Sequence, residues 1–159
     1  MPPFSLTEQS ADWVASAPIQ VIDTVDLAAP PDRVFEVLAD TGGWAAWYKG
    51  MRKVRIDGAA SGVGALRTVW VGATSVQERF VVWEPGQRMT FVITAMNVPG
   101  LRSMVEDWVL TPGATAGTTR LTTTIGVEAK APLRSVPKLV QKLMASATKG
   151  SAGLASQFT

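Results

Sequence analysis

The chain has 159 residues, 47% of them hydrophobic, with 15 Lys and Arg against 13 Asp and Glu, the size and balance of one globular domain with a buried core. It contains no cysteine and no histidine, which excludes disulfides, thiolate nucleophiles, Ser-His and Cys-His dyads and the commonest metal ligands. A net charge of +2 with no polybasic tract leaves no footprint for nucleic acid, and neither a dense carboxylate cluster for a metal nor a cofactor motif is present.

Residues 1–18 are polar and proline-bounded, with Phe4, Leu6, Trp13 and Val14 as apolar anchors. They read as an N-terminal extension, a short helix or tail packed on the outside of a single domain formed by residues 19–159. The first residues have neither the basic start nor the apolar centre of a signal peptide, and no apolar run reaches the roughly 18 to 20 residues of a membrane span. A cytoplasmic protein without stable membrane insertion is the expectation; its oligomeric state is not encoded in any visible pattern.

"IQVIDTVDL" (19–27) alternates as a strand, with Val21, Val25 and Leu27 on one face. In "AAPPDRVFEVLAD" the period changes: prolines suit a helix start, and Val34, Phe35, Val37 and Leu38 form a stripe before Gly42 and Gly43 end it. "WAAWYKG" (44–50) then sets Trp44, Trp47 and Tyr48 in a short helical stretch. Six strands follow: "VRIDG", "ALRTVWV", "TSVQERFVVW", "RMTFVITA", "RSMVEDWVLTP" and "TTRLTTTIGVEA". Their links are short, "EPGQ" and "GATAG" among them, and short links require antiparallel neighbours. From Leu133 the helical period returns, with Val136, Leu139, Val140, Leu143, Met144 and Ala147 on one side and Lys138, Gln141, Lys142 and Lys149 on the other. Ser135 is placed to cap this helix and Pro137 to stand in its first turn, while Gly150 and Gly153 weaken its last turns. A seven-stranded sheet with one apolar face must bury it, and this helix is the element able to cover it.

Several phrases in this order resemble the START-related, polyketide cyclase-dehydrase-like superfamily (SRPBCC). "VDLAAPPDRVFEVLAD" is similar to its opening strand and helix, "WAAWYKG" to its second short helix, "SVQERFVVWEPGQRMTF" to its glutamate-containing strand and turn, and "WVLTPGATAGTTRLTTT" to its closing hairpin. The resemblance spans about residues 19–156. It implies an α+β helix-grip fold, a seven-stranded curved antiparallel sheet wrapped around a long C-terminal helix, with two short helices between strands 1 and 2. It also implies an internal apolar cavity, which in relatives holds lipids, sterols, polyketides, quinones or hormones. Members include carriers, sensors and cyclases, so chemistry does not follow from the fold.

Alternation extended along each strand predicts the inward set: Leu66, Thr68 and Trp70; Glu78, Phe80 and Val82; Met89, Phe91 and Ile93; Glu106, Trp108 and Leu110; Leu121, Thr123 and Ile125. From this set the candidate ligand-binding residues are Trp70, Glu78, Phe80, Phe91, Ile93, Glu106, Trp108, Leu121 and Thr123, together with Leu143 and Met144 of the helix and Trp47, expected to point inward at the cavity end while Trp44 packs nearer the rim or against the N-terminal extension. They have the composition of a small-molecule pocket and equally of an ordinary core. Glu78 and Glu106 are more informative, because a carboxylate on an apolar face needs a partner, a raised pKa or a polar ligand. Pairing with Arg79, Arg88 or Arg120 at the sheet edge, or an outward register, is the plain resolution. Glu78, Glu106 and Tyr48 are the candidate catalytic groups, with Asp107 replacing Glu106 if the register slips. "GAASGVG" (58–64) and "AMNVPGLRS" (95–103) are candidate entrance loops; the former lacks the Gly-Lys-Ser/Thr ending of a phosphate loop.

These features point first to binding of a hydrophobic small molecule, such as a lipid, polyketide or quinone-like compound, with no cofactor. A cyclase or dehydratase using cavity carboxylates is the alternative, and a protein-interaction module, marked by an apolar patch beside the Lys-rich helix face, is the third.

Overall fold

The computed structural model describes residues 2–159. Its strands are β1 (Phe4–Ser5), β2 (Ile19–Leu27), β3 (Met51–Ile56), β4 (Leu66–Val71), β5 (Thr74–Glu84), β6 (Arg88–Met96), β7 (Leu101–Pro112) and β8 (Thr119–Ala129). Seven form one antiparallel sheet in the order β2-β8-β7-β6-β5-β4-β3. Helix α1 (Pro31–Ala39) and a 3-10 turn at Gly43–Ala46 connect β2 to β3, and α2 (Pro137–Thr148) follows β8. This is the helix-grip arrangement, with the concave face of the sheet closed by helices.

An eighth strand joins the sheet. β1 pairs with Met96 and Ala95 of β6, beyond the point where β6 and β7 stop pairing at Val92 and Val105. Leu6 N donates to the Thr94 carbonyl at 2.9 Å and Thr7 N to the Arg102 carbonyl at 2.7 Å, so the N-terminal segment bonds to both strands where they diverge. Unpaired backbone inside a sheet is costly, and this segment supplies the missing partners. The following 3-10 turn, Ala11–Ser16, lays Val14 on Val92 and Val105 of the outer face.

The concave face carries the main core: Leu27, Met89, Ile93, Leu121 and Ile125 of the sheet against Val34, Phe35 and Leu38 of α1 and Leu154 near the C-terminus. Expected registers hold in β2, β6, β7 and β8, but β4 is turned over. Arg67 pairs with Glu78 and Val69 with Val76, and cross-strand partners share a face, so Arg67, Val69 and Val71 point inward. Leu66, Thr68 and Trp70 therefore face outward; the Trp70 ring lies under Lys53 Nζ at 5.0 Å and the Arg55 guanidinium at 5.5 Å. In β5 a bulge between Phe80 and Val82 replaces Val82 by Trp83, whose ring meets Phe35 and Phe80 edge-on.

The C-terminal helix also departs from expectation. α2 begins at Pro137 with Val136 as an uncapped N-cap, so Ser135 does not cap it. Its buried side is Val140 and Thr148, with Met144 and Ala147 half-buried, whereas Leu139 and Leu143 are 50% and 56% exposed. After Thr148 the chain continues as a 3-10 helix, Lys149–Phe158. Gly150 and Gly153 let this segment lie directly on the 44–50 stretch: a Cβ on Gly150 would sit 2.0 Å from Tyr48 Cε1, and one on Gly153 would sit 1.8 Å from the Trp47 carbonyl oxygen. Gly153→Ala is expected to cost about 1–3 kcal/mol in chemical unfolding. Gly150→Ala is expected to cost less, because a ring shifts more easily than a backbone carbonyl; equal stability of Gly153→Ala and the parent chain would refute the close-approach role.

Candidate functional site

Between the sheet and α2 lies a cavity of about 420 Å³. Its walls come from β4 and β5 (Val69, Val71, Val76), from β6 and β7 (Phe91, Met96, Met104) and from α2 (Leu143, Met144, Ala147). Met51, Thr74, Val98 and Ser146 complete the lining, with Trp44 and Tyr48 from the 44–50 stretch and Glu78 and Glu106 as its charged-type groups.

The tryptophans are disposed opposite to expectation. Trp44, 1% exposed, is the cavity wall, whereas Trp47 packs behind it at 4.9 Å between ring centroids and borders a separate surface groove with Arg33 and Gln157. Trp44 is fixed by its indole N–H, which donates to the Leu38 carbonyl at 3.0 Å, and by Trp108 at 4.8 Å and Phe91 at 6.0 Å. A 3-10 turn, with three residues per turn, brings residues 44 and 47 onto the same side, and the carbonyl of Leu38 at the end of α1 selects Trp44 for the interior.

Arg67 lies buried behind this wall and reaches it through Glu78. Its Nε donates to Glu78 Oε2 at 2.6 Å and its Nη1 to the Thr41 carbonyl at 2.7 Å; Nη2 has no hydrogen-bond partner among the described residues. The guanidinium lies 3.9 Å from the Trp44 ring centroid, close enough for a cation–π contact in a dry environment. Glu78 is thus paired, by a cation on its own hairpin and not by Arg79, Arg88 or Arg120, which reach Glu8, Asp107 and Asp26. Burial still pushes the Glu78 carboxyl up, against the pull of Arg67.

Glu106 has no cation of its own. The Trp108 indole N–H donates to its Oε2 at 3.3 Å. Burial, reinforced by the charge of Glu78, pushes its pKa from 4.5 to about 8, which favours the protonated acid at neutral pH. Tyr48 donates its hydroxyl to the Ala147 carbonyl at 2.7 Å, and burial holds its pKa well above the ordinary value. The site therefore offers one neutral carboxyl that can donate a hydrogen bond into an otherwise apolar space.

Of the residues expected from sequence, Glu78, Phe91, Glu106, Leu143, Met144 and Tyr48 line the cavity. Trp47, Phe80, Ile93, Trp108, Leu121 and Thr123 are buried beside it without lining it, and Trp70 is on the opposite face. Asp107 faces outward, held by Arg88 and Thr90, so no register slip replaces Glu106. Sequence reading missed Trp44 and Arg67, although an arginine two residues before Val69 on a strand facing Glu78 was the available signal. The loop "AMNVPGLRS" contributes Met96 and Val98 to the cavity, whereas "GAASGVG" contributes nothing and accepts a hydrogen bond from Thr41 Oγ1 at Ala60.

Comparison with known proteins agrees with this fold. The chain is 34% identical over 124 residues to uncharacterized protein Rv2574 of Mycobacterium tuberculosis and to uncharacterized protein Mb2604 of Mycobacterium bovis, covering 77% of this chain and 73% of each relative. Its fold is similar to a START superfamily protein from Mycobacterium smegmatis, with a TM-score of 0.69 at 16% identity over 88% of this chain and 99% of the other. It is also similar to the Zhui aromatase/cyclase from Streptomyces sp. R1128, with a TM-score of 0.67 at 22% identity over 86% and 88% of the two chains. With a match of the family model to residues 18–156, the chain belongs to the family described as polyketide cyclase / dehydrase and lipid transport.

Proposed function

We propose that the protein binds one apolar small molecule, of lipid, polyketide or quinone-like character, whose single hydrogen-bond-accepting group meets Glu106. The observation that carries this reading is the cavity of about 420 Å³ whose wall is apolar except at Glu78, Glu106 and a few hydroxyls. That volume falls within the range of small-molecule sites, and a few placed polar groups in an apolar wall orient a ligand. A protonated carboxyl there donates to a ketone, quinone or ester oxygen without the cost of burying a charge.

Native mass spectrometry and tryptophan emission with a panel of fatty acids, isoprenoid quinones and aromatic polyketides test the reading. One class is expected to bind at one molecule per chain and to change the emission of Trp44. Ala147→Phe, which fills the cavity from α2, is expected to abolish that binding while leaving the fold intact. Failure of every class to bind would overturn the proposal.

The cyclase or dehydratase reading is favoured by one observation, Glu106 in the cavity wall without a cation partner, where burial raises its pKa towards that of a general acid working near neutral pH. Glu78, held by Arg67, is not a free base. Glu106→Gln separates the two readings: the amide still donates a hydrogen bond and keeps binding, but it supplies no proton, so any turnover is lost.

A further inference from the structure

The last 30 residues, 130–159, hold five cations (Lys130, Arg134, Lys138, Lys142 and Lys149) and no aspartate or glutamate. With 15 basic and 13 acidic residues in the whole chain, the preceding 129 residues carry a net charge of −3 and this segment +5. All five cations are exposed, and none forms an ion pair among the described residues, whereas seven arginines elsewhere are matched to a carboxylate.

Along α2, Val136, Leu139 and Leu143 recur at i, i+3 and i+7 and stand 44%, 50% and 56% exposed. Lys138 and Lys142 run beside them on the same outer side of the helix. The apolar stripe leads into the cavity opening, because Leu143 lines it, as does Val98, itself 44% exposed. A single exposed leucine is ordinary; three in a row beside unmatched cations form the pattern of a helix that lies in a membrane interface.

We propose that α2 and its flanking basic residues form a docking surface for the anionic face of a lipid bilayer, with the Val136–Leu139–Leu143 stripe set into the interfacial layer and the cavity mouth turned towards it. Charge decides for a bilayer over an acidic protein: the cations are spread along an exposed run, as a continuous anionic sheet requires, and no aromatic anchor accompanies them as a protein hot spot would need. None of the helices is long and apolar enough to cross a membrane, so the contact is peripheral. The surface goes beyond the cavity reading and does not depend on what the cavity holds.

Co-sedimentation with vesicles of phosphatidylcholine alone, or mixed with phosphatidylglycerol, tests it. The protein is expected to sediment with the mixed vesicles only, and to be released by raised salt. Lys138→Glu with Lys142→Glu is expected to abolish the association, and Val136→Ser with Leu139→Ser to weaken it by at least about tenfold. Neither pair lines the cavity, so retained binding of a cavity probe keeps a failure of docking distinct from a failure of the ligand reading. The proposal is overturned if mixed vesicles do not bind, if both double variants bind like the parent chain, or if sedimentation shows a dimer that Val136→Ser with Leu139→Ser dissociates, which would assign the stripe to a second copy.

Discussion

Arg67→Met is expected to destabilise the protein by about 3–5 kcal/mol in urea or guanidinium unfolding, the largest effect of any single substitution proposed for this chain. The side chains of Arg67 and Glu78 are 1% and 6% exposed, so removing the cation leaves a carboxylate with neither water nor partner. Glu78 must then remain charged in a dry wall or take up a proton, and either route costs folding free energy. Two further losses add to this: the Thr41 carbonyl loses its donor, and the Trp44 ring loses a cation 3.9 Å from its centroid.

The double variant Arg67→Met with Glu78→Leu is expected to recover most of the loss, because apolar side chains of similar volume replace a buried pair at little net cost. Recovery stops short of the parent by about 1 kcal/mol, since Thr41 keeps an unsatisfied carbonyl. If the double variant were as unstable as Arg67→Met, the penalty would lie in the lost packing on Trp44 and not in the orphaned carboxylate. Of the pair, Glu78 alone lines the cavity, so the ion pair fixes the position of one polar group of that wall.

The same pair shows where sequence reading succeeded and where it stopped. The succession of strands, their antiparallel pairing and the helix placement were legible because alternation, proline and glycine positions and short links act locally, and the family resemblance supplied the wrap of the sheet around the helix. The face of each strand was legible only where the two faces differ in polarity. In "LRTVWV" they do not: Leu66 and Trp70 compete with Val69 and Val71, and the decision falls to the ion pair across the β4–β5 hairpin, which places Arg67 beside Glu78. Pattern reading assigns a tryptophan inward and an arginine outward, yet here the guanidinium is buried and the indole carries two cations on the outer face. Glu106 and Phe91 were found because their strands lie mid-sheet with unambiguous alternation. Trp44 was exchanged with Trp47 because a 3-10 turn gives both residues the same side, and the choice depends on a carbonyl six residues away. The exposure of Leu139 and Leu143 was illegible for a related reason: helical periodicity marks an apolar stripe but not whether protein, ligand or membrane covers it.

Glu106→Gln is expected to make the protein more stable near neutral pH, by about 2–3 kcal/mol, and the margin is expected to grow with pH. The folded-state pKa of about 8 stands above the ordinary value of 4.5, so between these values the folded chain keeps a proton that the unfolded chain has released. Stability is therefore full below about pH 4.5, falls as pH rises, and levels off above about pH 8, with a total loss of at most about 5 kcal/mol. Glu78 is shifted in the same direction and interacts with Glu106 through its charge, so the difference between the two curves reports Glu106 together with its coupling to Glu78. Asp26 and Asp57, whose carboxyls are shifted down, lose their contribution only as pH falls through the acid range, outside this window. Unfolding at a series of pH values is expected to give a falling curve for the parent chain and a flatter one for Glu106→Gln; parallel curves would show that Glu106 is ionised in the folded protein. Under the proposed ligand reading, the stability this carboxyl costs is offset by its hydrogen bond to a ligand. An accepting oxygen in the cavity takes the Glu106 proton as a hydrogen bond, which holds the group neutral to higher pH, so affinity for such a ligand is expected to fall above about pH 8 in the parent chain and to stay level in Glu106→Gln.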